Sequence, residues 1–88
     1  MKVFRKQPND HLDYDIILAD WLSADDEIVS ADVVAQEGIE VTQVGIEPDR
    51  IKVWIKGGES GQSYKFSPLI YTRSREKEVD FIMTVTEM

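Results

Sequence analysis

The residues able to do chemistry in this 88-residue chain are few. His11 is the only histidine, and cysteine is absent. Nucleophilic catalysis needs a hydroxyl or thiol beside a base that takes its proton. Ser60 and Ser63, in the glycine-rich stretch Gly57-Gly58-Glu59-Ser60-Gly61-Gln62-Ser63, would have to borrow that base from His11, in a segment broken by Pro8 and Asn9. A Ser-His-Asp arrangement is therefore not expected. Acids abound, but none sits where its placement suggests a raised pKa, and so small a chain has little room for a glycosidase cleft. Asp13 and Asp15, two apart on an extended run, face the same way, and Asp25-Asp26-Glu27 gathers three carboxylates. The spaced calcium loop with its glycine is missing, so a solvated turn is expected and no metal is required. Gly57, Gly58 and Gly61 lack the helix and the Lys-Ser/Thr of a phosphate loop. The expectation is a protein without catalytic residues or cofactor.

The elements that carry these residues alternate with a period of two. Ile51, Val53 and Ile55 are interleaved with Lys52, Trp54 and Lys56. Tyr64, Phe66, Ile70 and Thr72 follow after the glycines, and Val79, Phe81, Met83 and Val85 after a polar connection. Such runs are strands with one face in a core and one in water. Tyr64, Phe66, Ile70, Val79, Phe81, Met83, Val53 and Ile55 are the expected core. Upstream, Leu12 to Leu18 is a strand, and Asp20 starts a turn that folds Trp21 and Leu22 over the core as a lid. Ile28 to Ala35 is a second strand, with an early bulge suggested by Ile28. Ile39, Val41, Val44 and Ile46 make a short strand interrupted by Gly45. Six or seven strands with a turn roughly every ten residues predict an all-β fold, a two-sheet antiparallel sandwich of immunoglobulin or fibronectin type III kind. A small barrel is the competing architecture. Tyr64, just after Gly61-Gln62-Ser63, stands where a tyrosine corner bonds back to the preceding backbone. Pro68 conflicts with a regular strand, since it cannot donate to a ladder, and a bulge or a change of partner is expected there.

Charge divides the chain. Residues 1–9 hold Lys2, Arg5 and Lys6 and no acid, a charge of +3, while the remaining residues hold seven bases and seventeen acids, a charge of −10. The acidic body repels phosphate, so no nucleic acid is expected as partner. No apolar run reaches the ~20 residues that cross a bilayer, and no apolar segment follows the first basic residues as in a signal peptide. A soluble protein made in the cytoplasm is expected. Residues 1–11 read as an extended N-terminal arm and residues 12–88 as the folded domain. If Tyr64, Phe66 and Ile70 point inward, then Trp54, Leu69, Tyr71 and Ile82 point outward. They form either an apolar interface patch or a scatter of single exposed residues, unless Pro68 shifts the register and buries Leu69. With Val3, Phe4, Arg5 and Lys6 of the arm they make the candidate partner-binding set. Phe4 is expected to pack on a neighbouring molecule while the basic residues steer association.

The run Phe4-Arg5-Lys6-Gln7-Pro8, then Leu12-Asp13-Tyr14-Asp15, Asp20-Trp21-Leu22 and Asp26-Glu27-Ile28, resembles the start of small tailed-bacteriophage proteins of the fiber–tail adaptor family. Arg50-Ile51-Lys52-Val53-Trp54-Ile55-Lys56-Gly57-Gly58 and Gly61-x-x-Tyr64 continue the resemblance. It implies a non-enzymatic, immunoglobulin-like structural component of the virion's tail or neck, present as a homo-oligomer, bound to other virion proteins and made in the bacterial host cytoplasm. It supplies no catalytic residues. A different class, a carbohydrate-binding or adhesion module, would use Trp54 and Tyr71 to stack on sugar rings.

Overall fold

The computed structural model describes residues 2–87. Among them are the strands β1 (Lys2–Lys6), β2 (Leu12–Ile17), β3 (Ile28–Asp32), β4 (Ile39–Ile46), β5 (Arg50–Gly57), β6 (Ser63–Phe66), β7 (Leu69–Thr72), β8 (Glu76–Glu78) and β9 (Phe81–Val85), and no helix. They form three small sheets, ordered β1-β9-β6, β2-β5-β4 and β3-β7-β8. Every pairing is antiparallel except that of β1 with β9.

Two of these sheets share one long hairpin. The register that pairs Ser63 with Thr84 and Phe66 with Phe81 continues unshifted to Leu69 with Glu78 and Tyr71 with Glu76. Between the two halves the Val79 N–H still donates to the Pro68 carbonyl at 2.9 Å. Pro68 has no N–H to return, so one rung is half made and regular pairing is interrupted there. The proline thus costs a donor without adding a residue, and its ring is fully buried. The partner does change around it. Beyond Pro68, β3 lies alongside β7, whereas before it the edge of β6 is capped by Gln36, whose Oε1 accepts from the Lys65 N–H at 3.3 Å.

The inner faces of β5 and of the long hairpin meet in one core of Ile51, Val53, Ile55, Phe66, Ile70, Phe81, Met83 and Val85, all at 0% exposure. Phe66 and Phe81 stack with centroids 4.8 Å apart. Tyr64 is buried as expected, and Val79 is half-buried against the cluster. The tyrosine corner is realised: the Glu59 N–H donates to the Tyr64 hydroxyl at 3.0 Å. Gly58 makes this turn possible. Its φ is +93°, and a Cβ there would stand 2.7 Å from Val85 Cγ2. Trp21 covers the end of the core, held from outside by the Arg75 guanidinium 4.2 Å from its ring centroid. The early bulge in β3 falls between Ile28 and Ser30. Gly45 does not interrupt β4; it pairs with Lys52, and the irregularity lies between Val41 and Gln43.

The N-terminal segment departs from the expectation of a free arm. β1 runs parallel to β9, Lys2 opposite Phe81 through Lys6 opposite Val85. Phe4 turns inward onto its own domain, 5.6 Å from the Phe81 ring and 5.3 Å from Tyr14. Pro8 and Asn9 do not hold the segment away. They lie in a tight turn, closed by Asp10 N–H to the Gln7 carbonyl at 3.1 Å and Gln7 N–H to Asp10 Oδ2 at 3.0 Å.

Candidate partner-binding site

Strand parity decides where each outward residue goes. On the long hairpin the buried residues are Tyr64, Phe66, Ile70 and Thr72 on one strand line and Phe81, Met83 and Val85 on the other. The alternate residues therefore share the opposite, outer face. Val3, Ile82 and Lys65 form one row across β1, β9 and β6. Asp32, Leu69 and Glu78 form another across β3, β7 and β8, and Ser30, Tyr71 and Glu76 the next. Arg5 extends the face beside Thr84. Val3, Arg5, Ile82, Leu69 and Tyr71 are thus brought to one surface, with Val3 57% exposed at its rim. The Tyr71 hydroxyl donates to Asp32 Oδ2 at 3.3 Å. Burial, followed by the Asp32 charge, raises its pKa.

Three members of the expected set lie elsewhere. Trp54 points outward from β5, in a different sheet, between Asp13 on β2 and Gln43 on β4. Its ring meets His11 edge-on at 6.1 Å, and His11 Nε2 lies 2.7 Å from Thr42 Oγ1. Trp54 and Tyr71 therefore do not build one stacking platform for a sugar. Phe4 faces the core. Lys6 is buried at 4% exposure, and its ammonium donates to the Gly57, Gln7 and Pro8 carbonyls, the last two at 2.7 and 3.3 Å. Burial pushes the Lys6 ammonium below the usual lysine range, against the pull of Asp10. An ammonium on three main-chain carbonyls is a fastener for the first strand, not a steering charge.

The residues weighed for chemistry are engaged with each other. The place a cation would take between Asp13 and Asp15 is filled by the Lys52 ammonium, 3.5 and 3.1 Å from their oxygens. The Asp15 hydrogen bond is the chief cause of a raised Lys52 pKa. Ser63 Oγ meets Thr84 Oγ1 at 3.2 Å, away from His11.

Asp26 is not a solvated turn residue either. Its Oδ1 accepts from the Glu27 and Arg73 N–H groups at 2.9 and 3.2 Å, and its Oδ2 from the Ser74 hydroxyl at 2.9 Å. This carboxylate joins the loop before β3 to the turn between β7 and β8, forty-eight residues away. Burial alone would raise its pKa, but hydrogen bonds from Thr72, Ser74 and the two backbone groups hold it below the usual carboxylate value. A carboxyl whose folded pKa is depressed contributes stability that is present above its unfolded value, about 3.9, and is lost as pH falls through the lower folded value. Urea midpoints measured from pH 6 down to pH 2 should therefore fall on the acid side. Asp26→Asn should be less stable than the parent at pH 6 and lose less on acidification. An identical acid slope in both chains would refute the role given to Asp26.

The chain matches the family described as podophage GP4 fiber-tail adaptor protein gp77 over residues 6–84. That span covers most of its length, and the chain belongs to this family. No curated protein matches it.

Proposed function

We propose that this protein is a non-enzymatic structural component of a bacteriophage virion, an adaptor between tail or neck and fiber that acts through protein–protein contacts. The observation that carries the reading is the family match over residues 6–84. The structure adds a surface suited to it: the outer face of the long hairpin, where Val3, Ile82, Leu69 and Tyr71 stand among Arg5, Lys65, Asp32 and Glu78. Single apolar side chains interleaved with charged ones, Lys65 and Asp80 among them, match the mixed composition of a non-obligate protein interface. In this reading the two halves of the hairpin sheet, with β1 and β3 at its margins, form one layer of an immunoglobulin-like sandwich and β2-β5-β4 the other. The domain works in several copies, is made in the host cytoplasm and ends in the virion. The net charge of −7 supports protein partners over nucleic acid.

The test is mass spectrometry of purified virions, together with micrographs of particles assembled without the gene. The protein is expected in the virion, and particles lacking it should carry no fibers. Fully fibered, infective particles without the protein would overturn the reading.

A further inference from the structure

A sheet edge is a template for another strand unless it is blunted by bulges, inward charges, shortness or cover. The open edges of this fold differ in how they are blunted. β1 carries an exposed Lys2 and Arg5 and turns Lys6 inward. β3 and β4 each contain a bulge and lie against one another. The edge of β6 is capped by the Gln36 side chain, and β8 has only three residues. β2 has no bulge, cover or inward charge and is not short; the only charges on its edge are the acids Asp13 and Asp15. It holds an uninterrupted register with β5 from Leu12 opposite Ile55 to Ile17 opposite Arg50, without glycine or proline. Among the described residues, its other side takes no main-chain partner. Its two ends carry exposed apolar side chains, Leu12 at 50% and Ile17 at 56%.

Resting on the adaptor reading above, we infer that the free edge of β2 is a docking site for an extended, basic segment of a partner protein, which adds a strand to the β2-β5-β4 sheet. The choice of occupant follows from charge. Asp13 and Asp15 project to the outer face of this strand at 39% and 34% side-chain exposure, with Lys52 between them and Arg50 3.7 Å from Asp15, so their outward oxygen faces still meet solvent. A second copy paired through its own β2 would set carboxylates against carboxylates, which is destabilising for directly opposed residues. A strand with Lys or Arg at every second position meets those carboxylates instead. Its intervening apolar residues cover Leu12 and the margin of Tyr14, whose hydroxyl is buried without a partner among the described residues. Main-chain hydrogen bonds then supply affinity and alternate side chains supply selectivity.

The experiment titrates the isotope-labelled full chain with two capped eight-residue peptides, one alternating lysine with valine and one glutamate with valine. The lysine peptide should shift the amide resonances of Leu12–Ile17 and slow their hydrogen exchange, leaving β4 and β6 unchanged. Its affinity should fall about tenfold between 50 and 300 mM salt. The Asp13→Asn/Asp15→Asn variant, with its fold checked by melting, should bind at least about tenfold more weakly. If that variant does not fold, Leu12→Lys at the exposed end of the edge gives the same reading through repulsion. No binding, equal binding of both peptides, or protection at another edge overturns the inference. Shifts in β2 that depend only on protein concentration would overturn the occupant in favour of a second copy. Virion mass spectrometry keeps the two readings apart: a virion protein that ignores the lysine peptide remains an adaptor but loses this edge.

Discussion

Phe81→Ala should cost about 3–5 kcal/mol, the range for removing a fully buried large aromatic. Phe81 lies at the centre of the packing. It stacks on Phe66 at 4.8 Å with rings 10° from parallel, and Phe4 meets it edge-on at 5.6 Å from the first strand. The loss therefore combines apolar burial with two ring–ring contacts, and the surrounding strands cannot collapse without breaking the hairpin register. A domain of this size holds about 5–15 kcal/mol in all, so the variant is expected to lose roughly a third or more of that stability and to unfold at a much lower urea concentration. Urea unfolding followed by tryptophan fluorescence measures it. A midpoint shift equivalent to less than about 1 kcal/mol would show that the core is centred elsewhere.

The position of Phe81 was legible in the sequence because a strand advertises its faces by alternation. The same holds for Val53, Ile55, Tyr64, Phe66, Ile70 and Met83, all buried. Short-range chemistry was equally readable: the corner at Tyr64 needs only the glycines beside it and an N–H five residues back. What alternation leaves open is which sheet an outward residue belongs to. Trp54 and Tyr71 have the same parity argument and lie in different sheets, and only the pairing of distant strands separates them. Asp26 was unreadable for a related reason. Its donors at Arg73 and Ser74 are nearly fifty residues away, so in sequence it looks like any acid in a turn. The candidate surface was half legible. Val3, Arg5, Leu69, Tyr71 and Ile82 do share a face, while Phe4 and Lys6 turned inward because the first strand found the last one.

A chain that begins at Gln7 should melt far below the full chain, and this result separates a docked strand from a free arm. Removal of β1 takes away three contributions. Phe4, half-buried between Tyr14 and Phe81, contributes roughly 1–2 kcal/mol of apolar burial. The parallel ladder with β9 and the main-chain bond from Thr86 N–H to the Lys6 carbonyl, 2.9 Å, are lost as well. Lys6 itself unites Gly57, Gln7 and Pro8; each such bond is worth about 0.5–1.5 kcal/mol net, offset in part by desolvation of the ammonium. The entropy regained by freeing five residues offsets much of this gross loss. A net loss of about 2 kcal/mol, at about 4–8 °C per kcal/mol for a domain of this size, should lower the melting temperature by roughly 10 °C. Phe4→Ala in the full chain should reproduce roughly half of that fall. Hydrogen exchange supplies a second readout, since the amides of β9 that face β1 should lose protection only when the strand is gone. Equal melting temperatures, with unchanged exchange along Phe81–Val85, would mean that the first strand does not hold the fold together and that Phe4 is free to serve a partner.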